Sequence, residues 1–252
     1  MTNMSFTTHY IEPRATHTHT IIFLHGRDST NNDFATELFE SEASEPANQP
    51  RTLPDLLPSI RWVFPGAALL PSKRFGTEMS QWFDVWSLEN PEEQAGIQEA
   101  GLRRSIENLV TLVESESALV PMDKIFLGGI SQGFATSIAA FLTTSRLARL
   151  AGLIGLCSWM PPAEVINELA EETSLYRKTS GKDPTAKTPI FLAHAVDDEV
   201  IDISLGRQMR MTLDSFASSC TVEWREYQSG GHWVNEPQGV DDMVSFLRLH
   251  MH

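Results

Sequence analysis

Cysteine is nearly absent from this chain of 252 residues, and its two copies, Cys157 and Cys220, are too few and too far apart for a disulfide framework or a thiolate metal site. Both read as reduced thiols, Cys157 as a small hydrophobe in the apolar run Leu153-Ile154-Gly155-Leu156-Cys157. Positive charge is also in deficit: 19 Lys and Arg stand against 33 Asp and Glu, a formal net charge of -14. That argues against nucleic-acid binding and standing adhesion to anionic membranes, which draw their affinity from basic clusters. No run approaches the ~20 apolar residues of a spanning helix, so integral membrane association is not expected. The N-terminus lacks the charged-then-apolar pattern of a secretory signal, and the expectation is a cytoplasmic protein. With no Pro/Gly/Ser-rich linker and no repeat, residues 1–252 are expected to form one domain. Its most polar stretches, Glu40–Arg51 and Glu171–Lys187, read as surface excursions.

What is present alternates. Strand-like runs at Thr20–Leu24, Ile60–Phe64 (stopped by Pro65-Gly66), Met122–Leu127, Ile190–His194 and Thr221–Tyr227 are rich in β-branched and aromatic residues. Between and after them lie helical patterns at Asn31–Ser41, Gly96–Glu116, Ile203–Phe216 and Gly239–Leu249. Such alternation predicts an α/β fold, a mostly parallel central sheet with helices on both faces. His17 and His19 alternate with threonines at the first strand and read as partly exposed packing positions, with no third metal ligand nearby in sequence. Ala67–Trp86 is long, aromatic and weakly periodic, a candidate lid or acyl-binding loop.

One stretch carries the chemistry. In Phe126-Leu127-Gly128-Gly129-Ile130-Ser131-Gln132-Gly133-Phe134 an apolar strand breaks into glycines around a serine, and a helix with Phe134, Ile138, Phe141 and Leu142 on one face follows. The frame Gly129-x-Ser131-x-Gly133 in a strand-turn-helix context is a nucleophile elbow, making Ser131 the candidate nucleophile. A serine hydroxyl needs a base, and the base a carboxylate to fix its tautomer. His232, after a strand and behind Gly230-Gly231, is the expected base. His9, His250 and His252 lie near the chain ends, and His25 and His194 read as packed histidines at strand ends. The acid comes from Asp197, Asp198 and Glu199, with Asp202 a further candidate; composition does not separate Asp197 from Asp198. Backbone N–H groups of Arg27 and Gln132 are placed to form an oxyanion hole, the second at a helix N-terminus.

With these residues in place the sequence resembles the phospholipase/carboxylesterase family of α/β-hydrolases, which includes acyl-protein thioesterases. The matching pieces run nearly the length of the chain: Leu24-His25-Gly26, Gln81-Trp82-Phe83-Asp84, Gly129-Ile130-Ser131-Gln132-Gly133, Ser158-Trp159-Met160-Pro161, His194-Ala195-Val196-Asp197-Asp198 and Gly231-His232. Two departures stand out. Arg27-Asp28-Ser29 replaces the tail of the family's H-G-x-G-D, losing its second glycine, and Ala195 replaces the glycine of H-G-x-x-D. The resemblance implies the α/β-hydrolase fold and hydrolysis of a carboxylic ester or thioester, of a small molecule or an acylated protein, without metal or organic cofactor. The spacing H-G-x-x-D selects Asp198 as the acid and leaves Asp197 as a local turn residue. An apolar acyl chain is expected along Leu69, Leu70, Phe75, Trp82, Phe83, Trp159 and Met160, apolar residues in two segments just after strands. A small-molecule carboxylesterase, a lysophospholipase and a non-catalytic ligand-binding protein on the same fold are the alternatives.

Overall fold

In the computed structural model, which describes residues 7–174, 176, 188–215 and 220–252, strands and helices alternate along the chain. In order they are β1 (Thr7–Ile11), β2 (His19–Leu24), α1 (Asn31–Glu40), α2 (Leu53–Leu56), β3 (Ile60–Gly66), the short strands β4 (Leu69–Pro71) and β5 (Glu78–Ser80), and α3 (Glu99–Glu116). Then come β6 (Ile125–Ile130), α4 (Gln132–Thr143), β7 (Gly152–Leu156), α5 (Ala163–Leu169), β8 (Thr188–Ala195), α6 (Ile203–Asp214), β9 (Cys220–Tyr227) and α7 (Gln238–His250). Among the described residues seven strands form one sheet in the order β1-β3-β2-β6-β7-β8-β9, in which β1 alone runs antiparallel to its neighbour.

Side chains of a strand alternate between faces, and here the two faces feed two cores. Ile22, Leu24, Leu127, Leu153, Ile190 and Leu192 pack with α3, α4, α5 and α6, whereas Ile21, Phe23, Phe126, Ile154 and Phe191 pack with α1, α2 and α7. Both faces of the central strands are therefore covered, which is why they read as unbroken apolar runs. The carboxyl ends of β2, β6, β7 and β8 lie side by side, and the loops that leave them meet.

Several boundaries differ from expectation for local reasons. Met122–Lys124 is a 3₁₀ turn, so the strand expected from Met122 begins at Ile125. Pro65-Gly66 extends β3 instead of stopping it, because β2 pairs only as far as Val63 and the missing proline N–H costs no bond to it. The helix expected from Gly96 starts at Glu99, after the 3₁₀ turn Ala95–Ile97. Phe216, and residues 175 and 177–187 of the Glu171–Lys187 excursion, lie outside the described residues.

His19, expected to be partly exposed, is sealed at the start of β2, its Nδ1 3.0 Å from Thr18 Oγ1 and its Nε2 without a partner among the described residues. His17 turns its Nε2 to Thr20 Oγ1 at 3.0 Å. Burial, with Lys124 nearby, lowers the His19 pKa to about 4. The unfolded chain takes up this proton near 6.5 and the folded chain only near 4, so stability falls as pH drops through that window. His19→Phe is expected to flatten the stability profile between pH 7 and 4.5 by on the order of 2 kcal/mol, read by urea unfolding at both pH values. Equal slopes in the two proteins would contradict this assignment.

Candidate functional site

Ser131 sits where β6 hands over to α4, with φ 55° and ψ -127°, a left-handed conformation costly for a residue with a Cβ. The turn is held from both sides: Ser131 N–H donates to Leu156 O at 2.9 Å, and Ser158 Oγ donates to Ser131 O at 2.7 Å. The flanking glycines are dictated by space. A Cβ on Gly133 would lie 2.4 Å from Leu24 O, and one on Gly129 would lie 2.7 Å from the carbonyl carbon of Gly133.

The turn after β8 and the loop after β9 bring Asp198 and His232 together, with His232 Nδ1 2.8 Å from Asp198 Oδ2. Asp198 Oδ1 accepts from the N–H groups of Val200 and Ile201, both at 2.9 Å. Burial alone would raise the pKa of this carboxyl; the hydrogen bonds from His194, His232 and Ile201 outweigh it and hold the group well below the usual carboxylate range. Ionised Asp198 keeps the proton of His232 on Nδ1, which leaves Nε2 as the basic nitrogen. His232 and Ser131 line the same cavity, of about 330 Å³. Such an arrangement can take a proton from a serine hydroxyl and return it to a leaving group.

The other candidates resolve individually. Asp197 lies in the turn after β8, as expected, and its Oδ1 also accepts from Gly231 N–H at 2.8 Å, fastening the histidine loop to the acid turn. Asp202 caps α6 through Ser204 N–H at 2.8 Å. His25 spends its buried ring on backbone, donating from Nδ1 to Gly26 O at 2.6 Å and accepting Ala67 N–H at Nε2 at 3.0 Å. Burial lowers its pKa, so it stays neutral.

The backbone N–H groups of Arg27 and Gln132 have no acceptor among the described residues, and that of Gln132 opens α4. Where the family pattern has its second glycine, Asp28 adopts φ 64°, the conformation a glycine would supply, and Asp tolerates it better than most residues. The loop is braced by Asp28 N–H to Ser80 O at 2.8 Å, Ser80 Oγ to Ser29 O at 2.7 Å and Trp82 Nε1–H to His25 O at 2.8 Å. Sequence reasoning missed the side chain of Gln132, which accepts Trp82 N–H at 2.9 Å and donates to Phe83 O at 2.8 Å. The paired motifs Ser131-Gln132 and Gln81-Trp82-Phe83 were the available signal.

None of the seven expected acyl-binding residues lines the cavity at Ser131. Trp82, Phe83 and Trp159 are fully buried in the core on the α3–α4 face, because Gln132 and the Ser105 hydroxyl bind the Trp82-Phe83 backbone and draw both rings inward. Met160 and Leu70 line two other cavities. Leu69 and Phe75 lie exposed on the β4–β5 hairpin. That hairpin is fastened to the loop of Arg27 and Asp28, with the Arg27 guanidinium 5.8 Å and that of Arg74 5.5 Å from the Phe75 ring centre. The apolar walls beside Ser131 are instead Phe34, Leu88, Ile130, Val200 and Trp233.

Cys157, Asp198 and His232 bring potential ligand atoms within 4.8 Å of one another. Burial and the Asp198 charge push the Cys157 thiol far up, and it donates to Trp233 O at 3.4 Å. Cys157 Sγ and the His232–Asp198 pair already have protein partners, the thiol with Trp233 O and His232 Nδ1 with Asp198 Oδ2.

Residues 7–251 match the model of the phospholipase/carboxylesterase family. The acyl-protein thioesterase 1 of Yarrowia lipolytica is 31% identical over 239 residues, 94% of each chain. That of Cryptococcus neoformans is 28% identical over 256 residues, again 94% of each. Among solved structures, Zea mays acyl-protein thioesterase 2 superposes with a TM-score of 0.72 over 98% of this chain and 100% of its own, at 24% identity.

Proposed function

The chain belongs to the phospholipase/carboxylesterase family of α/β-hydrolases, and from that premise we propose that it hydrolyses acyl thioesters and esters through an acyl-enzyme on Ser131. The observation that carries the reading is the Asp198–His232 pair at 2.8 Å, opening into the cavity that Ser131 lines. Ser131 Oγ attacks the carbonyl carbon while its proton passes to His232 Nε2. The N–H groups of Arg27 and Gln132 receive the oxyanion, and the helix N-terminus at Gln132 favours its charge. Collapse expels the thiolate or alkoxide, which leaves with the proton from His232. Water, deprotonated by the same nitrogen, then releases the acid and restores Ser131. The residues supply nucleophile, base and oxyanion donors, so the scheme calls on no cofactor.

The relatives named above favour an acylated protein as substrate, with an apolar acyl group against Phe34, Leu88, Ile130, Val200 and Trp233. A cytoplasmic location belongs to the same proposal; among the described residues no helix is long and apolar enough to cross a membrane. A small-molecule carboxylesterase is the second reading, favoured by a cavity of about 330 Å³ bordered by Arg27, Asp28 and Glu37. The two are separated by kcat/KM for acyl thioesters and esters from two carbons upward. Because each buried CH₂ contributes up to ~0.8 kcal/mol, the thioesterase reading expects kcat/KM to rise over several carbons. A monotonic fall from acetyl selects the carboxylesterase.

A further inference from the structure

Asp198 meets two imidazoles. His194 Nε2 lies 3.1 Å from Asp198 Oδ2, the oxygen that His232 Nδ1 approaches at 2.8 Å, and both the His194 and Asp198 side chains are sealed from solvent. Nε2 of His194 also faces Ile201 O at 2.9 Å. With acceptors on both sides, that nitrogen carries the proton and donates it. Nδ1 turns towards α6, where Gly206 makes room: a Cβ there would lie 2.5 Å from it. The ring therefore occupies a place shaped for it, with one directed contact to the acid of the triad.

We propose that His194 is a positioning residue that tunes the basicity of His232 through the shared Oδ2 of Asp198. The inference rests on the triad reading given above. Oδ1 is committed to Val200 and Ile201, so Oδ2 is the only oxygen through which the carboxylate acts on the base. A second donor on that oxygen draws electron density away from the bond to His232, so the carboxylate stabilises the imidazolium less. Other titratable groups surround the pair: Asp197 behind Gly231, the Cys157 thiol, Asp202 near His194, and Arg27, Asp28 and Glu37 on the cavity wall. None of these groups is itself removed when His194 alone is replaced.

The test is the pH dependence of the rate at which a fluorophosphonate modifies Ser131 in the full chain and in His194→Gln, His194→Asn and His194→Leu. The glutamine amide nitrogen can stand in for Nε2, the asparagine amide falls short of Asp198, and leucine offers no donor. The acidic limb is expected to move up by about half a pH unit or more in the Asn and Leu variants and to stay in place in the Gln variant. A limb unchanged in Asn and Leu, with only the plateau rate or Tm lowered, would make His194 a packing residue and overturn the proposal. Should the Leu variant not fold, the Gln and Asn pair decides. A parent chain that is never labelled removes the Ser131 reading itself, whereas a labelled parent with invariant limbs removes only the role of His194.

Discussion

Ser131→Ala is expected to lower kcat/KM by at least about 10⁴-fold, because the members of a serine triad act as a unit and the loss of one removes most of their joint effect. Folding should be untouched. The bonds that hold the turn use the backbone of Ser131, its N–H to Leu156 O and its C=O from Ser158 Oγ, and alanine keeps both. The positive φ costs a Cβ-bearing residue the same whether or not it carries a hydroxyl. The measurement is hydrolysis of a thioester beside thermal unfolding of parent and variant. A variant that retained substantial turnover would remove Ser131 from the mechanism, and a variant that failed to fold would mean the hydroxyl is structural. Gly133→Ala supplies the contrast, since its Cβ would lie 2.4 Å from Leu24 O and the turn would have to move.

The elbow was legible because its requirements are local. Strand, glycine, serine, glycine and helix are contiguous, and the short contacts that a Cβ would make at Gly129 and Gly133 are the reason for that spacing. The central strands were legible for a similar reason: with both faces covered, each is a short unbroken apolar run. β1 gave no such signal, since Thr7-Thr8-His9-Tyr10-Ile11 is a half-exposed edge strand defined by its pairing with β3. The expected acyl-binding residues do not line the cavity at Ser131, and aromatic content alone does not distinguish a core from a pocket. What separates them is the Gln132 side chain, 50 residues from Trp82 in sequence, which binds the Trp82 backbone. The apolar walls of the cavity at Ser131 come from α1, from Leu88, from the end of β6, and from Val200 and Trp233, five segments that no single sequence window contains.

Asp198→Asn is expected to cost about 10⁴-fold in kcat/KM, while Asp197→Asn should stay within about tenfold of the parent. The two carboxylates are adjacent and face different partners. Asp198 receives four donors: Val200 and Ile201 N–H on Oδ1, and His194 and His232 on Oδ2. An asparagine there can keep its oxygen on the two backbone N–H groups, but its NH₂ then points at two imidazole N–H groups. His232 relieves the clash by moving its proton to Nε2, and the base loses the lone pair that Ser131 needs. Asp197 instead accepts one bond, from Gly231 N–H at 2.8 Å, and an amide oxygen can accept it as well. Asp197→Ala should cost more than Asp197→Asn, since it frees the loop that carries His232 without touching the ring. The measurement is kcat/KM for all three variants on one thioester. An Asp197→Asn enzyme crippled by orders of magnitude beside a nearly normal Asp198→Asn enzyme would move the triad acid one residue back along the chain.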